Sequence, residues 1–287
     1  MPLMEIRDLT HVYSGGTPFE KTALDHLSLT LETGRTIGLI GHTGSGKSTL
    51  IQHMNALLKP TGGTVLLQGQ DIFASRETMY RTRFRVGLVF QYPEYQLFEE
   101  TVFRDIAFGP RNQKLEETEI DRRVREAAAF VGLGEDLFDK SPLDLSGGQK
   151  RRVAIAGVLA MEPELLILDE PSAGLDPAGR KELLDNLFRW REARNATILL
   201  VTHDMDAAAF CDELAVMDHG RIVLTGRPGH VFSHAGTLRD LGLDLPAAAR
   251  IALLLRERGL PLPRDIYTLP QLRDAILALA GKEGGPC

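Results

Sequence analysis

The order of three short motifs constrains this chain more than any other feature. Gly41-His-Thr-Gly-Ser-Gly46-Lys47-Ser48 fits the phosphate-loop pattern GxxxxGK[ST]; Leu145-Ser-Gly-Gly-Gln149 follows far downstream; then the apolar run Leu165-Leu-Ile-Leu168 ends in Asp169-Glu170. At average residue usage a phosphate loop arises by chance in about one chain in a hundred of this length, and LSGGQ in roughly a few in ten thousand. A phosphate loop needs a strand feeding it and a helix leaving it. That requirement commits the chain to an α/β core, and LSGGQ sits between the two halves of the site and completes neither.

The surrounding pattern supplies those elements. Thr36-Ile-Gly-Leu-Ile40 is a compact apolar run feeding the loop, and Ser48 to Leu58 reads as a helix broken by Pro60 and the Gly62-Gly63 turn. Residues 3–10 and 25–31 alternate apolar and polar, as strands with one buried face do. Val86–Phe90, Leu165–Leu168, Thr197–Val201 and Glu213–Asp218 predict further strands. Residues 92–160 differ in character: Glu116–Val131 is charged and alanine-rich with helical spacing, and Gly147–Met161 is a second helical stretch. From about His230 the chain is helical again, with apolar faces over Leu245–Arg258 and Leu269–Leu279, punctuated by Pro246, Pro261, Pro263 and Pro270. The expected division is an ATP-binding core (1–91 and 161–229), an inserted helical subdomain (92–160) and a C-terminal helical module (230–287). No internal repeat is present.

Charge and composition exclude several classes. The net charge of −6 opposes a dominant nucleic-acid footprint. The longest apolar candidate, Val153–Met161, is far short of a membrane span, and the N-terminal MPLMEIRDLT lacks the basic-then-apolar order of a secretory signal. Two cysteines, Cys211 and Cys287, have neither a disulfide framework nor metal-ligand spacing, and Cys287 reads as part of a loose tail. A cytoplasmic soluble protein is expected.

The chemistry concentrates at the ends of the predicted strands. Gly41, His42, Thr43, Gly44, Ser45, Gly46, Lys47, Ser48 and Thr49 form the expected ATP cradle. Its glycines turn backbone N–H groups toward phosphate oxygens, and the following helix adds its positive end. Lys47 offers a cation to the β- and γ-phosphates and Ser48 a hydroxyl to Mg²⁺. Asp169 ends a buried strand, where a carboxylate is costly unless it meets a metal or a hydrogen bond, so it is expected to hold Mg²⁺ through water. Glu170 is expected on the other side of that strand as general base. Gln91 can reach the metal or the attacking water, and His203 can bond the γ-phosphate and orient Glu170. Tyr13 is a candidate for stacking on adenine, with a plain strand-edge tyrosine as the competing reading. Leu145, Ser146, Gly147, Gly148 and Gln149 begin a helix and offer N–H groups, a hydroxyl and a dipole to a γ-phosphate. Held away from their own phosphate loop, they make sense in trans, closing the nucleotide of a neighbour in a head-to-tail pair with Asp176 at the same seam.

The three motifs in this order resemble the ATP-binding-cassette (ABC) ATPases, with a landmark matched at each step from residue 3 to about 228. The resemblance implies a P-loop NTPase with a RecA-like core, an antiparallel β subdomain and an inserted helical subdomain. The stretch Phe90-Gln-Tyr-Pro-Glu-Tyr-Gln-Leu-Phe-Glu-Glu-Thr-Val-Phe-Arg-Asp-Ile-Ala-Phe-Gly-Pro-Arg-Asn112 is similar to the energy-coupling factor (ECF) importers of vitamins and metals. Gly15–Ala23, Lys150–Met161 and the C-terminal module are similar to the second of their two paired ATPases. Ser172 departs from the threonine of many relatives and keeps the hydroxyl.

That resemblance implies ATP and Mg²⁺ as ligands. It also implies a second ATPase subunit (identical or different), a membrane coupling protein and a substrate-capture protein as partners, with the chain peripheral at the cytoplasmic face of the membrane. Glu94, Tyr95, Leu97, Phe98 and Glu99, just after Gln91, form a mixed apolar and acidic surface suited to a partner helix carrying arginines. Another ABC class, such as a cobalt or nickel importer, is the alternative. A DNA clamp would need coiled-coil arms or a basic face, and a tandem translation factor a second phosphate loop.

Overall fold

The computed structural model describes residues 2–283; Cys287 lies outside them. Strands β1 (Pro2–Tyr13) and β2 (Lys21–Glu32) pair antiparallel. β3 (Thr36–Ile40), buried at every position, runs into the glycine loop and helix α1 (Lys47–Met54). β4 (Gly62–Leu67) and β5 (Gln70–Asp71) return to the first sheet and complete the antiparallel order β2-β1-β4-β5. Helix α2 (Arg76–Arg85) leads to β6 (Val86–Val89).

Three helices follow: α3 (Val102–Asn112), α4 (Glu117–Phe130) and α5 (Gly147–Leu159). They bury Ile106, Val124, Ala127, Val153 and Ala156 against one another. The chain then re-enters the core through β7 (Leu165–Asp169), α6 (Pro177–Arg194), β8 (Thr197–Val201), α7 (Met205–Ala208), β9 (Glu213–Asp218) and β10 (Arg221–Gly226). The second sheet has the order β10-β9-β3-β8-β7-β6, parallel throughout except for β10. Its central strands are apolar without alternation because both faces are covered, as a parallel sheet requires.

This topology assembles the site. β3, β8, β7 and β6 lie side by side with Leu39 opposite Val201, Asp169 opposite Val201 and Val89 opposite Leu168. The segments leaving their carboxyl ends are the phosphate loop, the His203 segment, Glu170 and the Gln91 segment. Ligands of open α/β sheets bind at that edge.

Two expectations change. The helix predicted to reach Leu58 stops at Met54, because Asn55 leaves helical geometry to donate its amide to the Val86 carbonyl and Ala56 is left-handed at φ 54°. The tail comprises α8 (Pro228–Ser233), α9 (Ala235–Asp240), α10 (Ala247–Glu257) and α11 (Leu269–Glu283), but it does not act as one module. Val231, Phe232, Leu238, Leu243 and Leu245 join the main core. Only α10 and α11 enclose a small cluster of their own, Ala248, Ala252, Leu262, Ile266 and Leu272. Among the described residues no helix is long and apolar enough to cross a membrane.

Candidate functional site

The phosphate loop has little freedom to be anything but glycine at its two ends. A Cβ on Gly41 would meet the Met217 carbonyl oxygen at 2.3 Å, and Gly46 has φ 106° with the Ala23 carbonyl oxygen 2.6 Å from its would-be Cβ. Gly46 caps α1 with no side-chain hydrogen bond, so the N–H groups of the first turn are left for an anion. Lys47 folds over the loop, its Nζ donating to the carbonyls of Gly41 (2.7 Å) and His42 (2.9 Å). Burial holds its ammonium below the usual lysine range, against the pull of Glu170 and Asp169. A partly desolvated cation that already sits in the cradle gains most from a polyphosphate.

A cavity of about 600 Å³ lies over this loop, lined among others by Tyr13, Gly44, Lys47, Ser48, Gln91, Asp169, Glu170 and His203. The phosphate loop and the strand-end residues therefore converge on one space. Burial, then the nearby Glu170, pushes the Asp169 carboxyl up to about 6, with Lys47 opposing. Only 9% exposed, it stands at the cavity wall, where a divalent cation would relieve the cost of its charge. Ser48, Gln91 and Asp169 are thus a donor set that fits Mg²⁺.

Glu170 does not reach its place by strand alternation. Strand β7 ends at Asp169, and Glu170 turns into the left-handed region at φ 49° while its N–H donates to the Val201 carbonyl. Both carboxylates consequently line the same cavity. Such a conformation in a non-glycine residue costs on the order of 1–3 kcal/mol and persists where neighbours over-determine it. Here they do: Glu170 Oε1 accepts from the His203 backbone N–H (2.9 Å) and from His203 Nδ1 (2.6 Å), and Thr202 Oγ1 donates to Oε2 (3.4 Å). Tyr13 ends β1 with its hydroxyl 3.3 Å from Thr49 Oγ1 and its ring edge-on to His11.

Leu145 to Gln149 and Asp176 lie outside this cavity. Ser146 caps α5 in a reciprocal box: its Oγ accepts from the Gln149 N–H (3.3 Å), and Gln149 Oε1 accepts from the Ser146 N–H (3.0 Å). Gly147 and Gly148 have open space where a side chain would stand, so nothing among the described residues demands glycine there. Asp176 caps α6, accepting from the Gly179 N–H at 2.6 Å.

The segment after Gln91 corrects the sequence reading at two residues. Glu94 is not a free surface carboxylate. It pairs bidentately with Arg151, at 3.1 Å from Nε and 3.0 Å from Nη2, and both side chains are largely buried. A buried guanidinium needs a partner charge, and Arg151 also donates to the Ala173 carbonyl, just beyond Glu170. Leu97 turns inward onto the main core. Tyr95 and Phe98 do stand out, at 85% and 64% exposed, with Glu99 half-buried beside them. The Asp105 carboxylate, raised by burial, fixes that stretch by accepting from the N–H groups of Phe98 and Glu99.

Sequence reasoning missed Lys21, Thr22 and Ala23 at the start of β2, and His219 and Gly220 between β9 and β10, all of which line the cavity. Asp218-His-Gly-Arg221 carries a legible turn signal, but nothing local says that the turn closes on the phosphate loop.

A family model described as ABC transporter matches residues 24–173. The chain is 49% identical over 286 residues to the energy-coupling factor transporter ATP-binding protein EcfA2 of Clostridium tetani, covering 99% of each. It is 51% identical over 282 residues to EcfA2 of Clostridioides difficile, covering 97% of this chain and 98% of that one. Among solved structures, cbiO1 from Clostridium perfringens, described as part of the ABC transporter complex cbiONQ, superposes with a TM-score of 0.75 at 41% identity. That match covers 89% of this chain and 99% of the other. The ATP-binding cassette MJ0796, a dimer bound to ADP and Pi, gives 0.71 at 27% identity over 78% of this chain and 98% of its own.

Proposed function

Since the chain belongs to the ABC transporter ATPases, and among them to the ATP-binding subunits of ECF transporters, we propose that its strand-end cavity hydrolyses ATP in a head-to-tail ATPase pair. Hydrolysis is coupled to transport through membrane components. One observation carries the site assignment: Lys47, Gln91, Asp169, Glu170 and His203 surround one cavity while the LSGGQ segment stands outside it.

Each side chain then has a task. Lys47 and the first-turn N–H groups of α1 hold the polyphosphate. Ser48, Asp169 and Gln91 would hold Mg²⁺, which would supply positive charge to the phosphoryl oxygens. Glu170, locked by two donors from His203, accepts the proton of the attacking water. His203 keeps its second ring nitrogen for the γ-phosphate, and Tyr13 at the cavity wall stacks on the base. Ser146, Gly147 and Gly148 close the partner's nucleotide. Two glycines at the start of a helix, with no internal reason to be glycine, support close approach by something outside this chain.

The partner of the pair is a second ATPase subunit, identical or different, and the complex includes a membrane coupling protein and a substrate-capture protein carrying a vitamin or other micronutrient. The chain sits peripherally at the cytoplasmic face. Arg151 joins the signature helix α5 to the Gln91 segment through Glu94 and to the segment after Glu170 through Ala173. Events at the γ-phosphate thereby reach Tyr95, Phe98 and Glu99, the contact proposed for the coupling protein.

The test is Glu170→Gln. It keeps the shape of the site and removes the base, so MgATP turnover should fall at least ~10²-fold while ATP binding persists and a nucleotide-bound dimer accumulates in light scattering. Near-wild-type turnover would overturn the assignment.

A further inference from the structure

The hairpin between β9 and β10 brings a third set of ligating atoms to the edge of the nucleotide cavity. Asp218 and Arg221 face each other across it, and His219 and Gly220 between them both have positive φ, 43° and 78°. The turn presses on the phosphate loop, with the Gly220 N–H donating to the Ser45 carbonyl at 2.8 Å.

His42, inside the loop, meets this turn in an unusual way. Its Nδ1 lies 2.8 Å from the Thr43 carbonyl oxygen, and its Nε2 lies 2.8 Å from Asp218 Oδ1. A carbonyl only accepts, so Nδ1 carries a hydrogen, and Nε2 either carries one as well or turns its lone pair on a carboxylate oxygen. In the second arrangement two lone pairs at that distance need a cation between or beside them. A proton would serve two partners, but a third converges. His219 Nε2 lies 3.8 Å from the same Asp218 oxygen, the His42 and His219 rings are 5.6 Å apart, and the three ligand atoms fall within 4.8 Å of one another.

We propose that His42, Asp218 and His219 form a binding site for a borderline divalent transition metal of the zinc or cobalt class, and that metal bound there tunes nucleotide affinity. Tetrahedral ligands at ~2.0–2.1 Å from zinc lie about 3.3 Å apart, midway between the two separations seen. His219 is 85% exposed at its side chain, so its ring is free to swing toward that separation. Two imidazoles and one carboxylate suit zinc, cobalt and nickel and are a poor match for Mg²⁺. The His42 Nδ1–H bond to Thr43 supplies the outer-shell support that orients a ligating histidine. Because His42 also lends its carbonyl to Lys47 Nζ, an ion here ties the hairpin to the phosphate loop. Any effect on ATP affinity is then matched by an equal effect of ATP on metal affinity.

Titrating the nucleotide-free full chain with Co²⁺, in Mg²⁺-free buffer, tests this by calorimetry and visible absorption. One ion per chain is expected. Its affinity should fall at least ~10-fold in His219→Asn, which keeps the turn, and in Asp218→Asn, and should hold in His234→Ala, which removes an exposed histidine elsewhere. Failure of the wild type to take up Co²⁺, or wild-type affinity in both His219→Asn and Asp218→Asn, would sink the site. A second arm measures ATP affinity with and without Co²⁺. It rests on the phosphate-loop reading, which the uptake arm does not. A shift in wild type that is absent in His219→Asn supports the coupling, and uptake without any shift overturns it.

Discussion

Asp169→Asn should make the nucleotide-free chain more stable while removing its use for Mg²⁺. The carboxyl stands at about 6 against an ordinary 3.8, and each unit is worth about 1.36 kcal/mol, so ionising it in the folded state costs about 3 kcal/mol. The folded state binds this proton more tightly than the unfolded chain does. Stability contributed by the protonated form is therefore present at low pH and is lost as pH rises from near 4 through about 6. Asparagine has the same shape and carries no charge, so above pH ~7 it recovers the whole penalty. At ~2.1 cal/mol/K per residue over 287 residues, unfolding entropy is about 0.6 kcal/mol per degree, and the gain is about 5 °C in Tm. Thermal melts of both proteins from acid to mildly alkaline pH read this out directly. The gap should be full at neutral pH, narrow through about 6 and close toward 4. MgATP should stabilise the wild type more than the variant, because the cation restores what asparagine cannot use. If the variant melts no higher than wild type at neutral pH, or leads it by the same margin at all pH values, then burial of Asp169 is not the cost described and its readiness for a metal loses its physical basis.

Gly148→Ala should stabilise the isolated chain by up to ~1 kcal/mol, since helix propensity improves and the new methyl meets open space. It should at the same time weaken ATP-dependent dimer formation by analytical ultracentrifugation. A dimer as tight as wild type would count against closure in trans. Phe98→Ala with Glu99→Lys should release the ATPase from membrane complexes, or abolish uptake, while the isolated chain keeps its turnover, because neither side chain lines the nucleotide cavity. Normal co-purification with full uptake would place the coupling surface elsewhere.

How much of this was legible in the residues depends on the range of the physics involved. The loop of Gly41–Ser48, the fully apolar strands and the cap at Ser146 are local: glycine sterics, burial on both faces and hydrogen bonding within one turn write themselves into a few consecutive residues. α2 is the counter-case, since Thr82 is its only fully buried residue, and a helix with so little buried carries almost no periodic signal.

The sequence alone carried the expectation that Lys47 and Ser48 hold a nucleotide with Asp169 and Glu170 beside them, and that LSGGQ serves a different site. Only the tertiary structure decided how these groups are posed. Strand order β3-β8-β7-β6 brings together residues far apart in the chain, and no local pattern encodes which strand becomes whose neighbour. The left-handed turn at Glu170 is held by His203, and the burial of Arg151 takes Glu94 from the surface. Likewise, Asp218 and His219 meet His42 because a hairpin folds onto the phosphate loop. In each case the deciding quantity is the environment that distant segments impose on a side chain, which exists only once the sheet has closed.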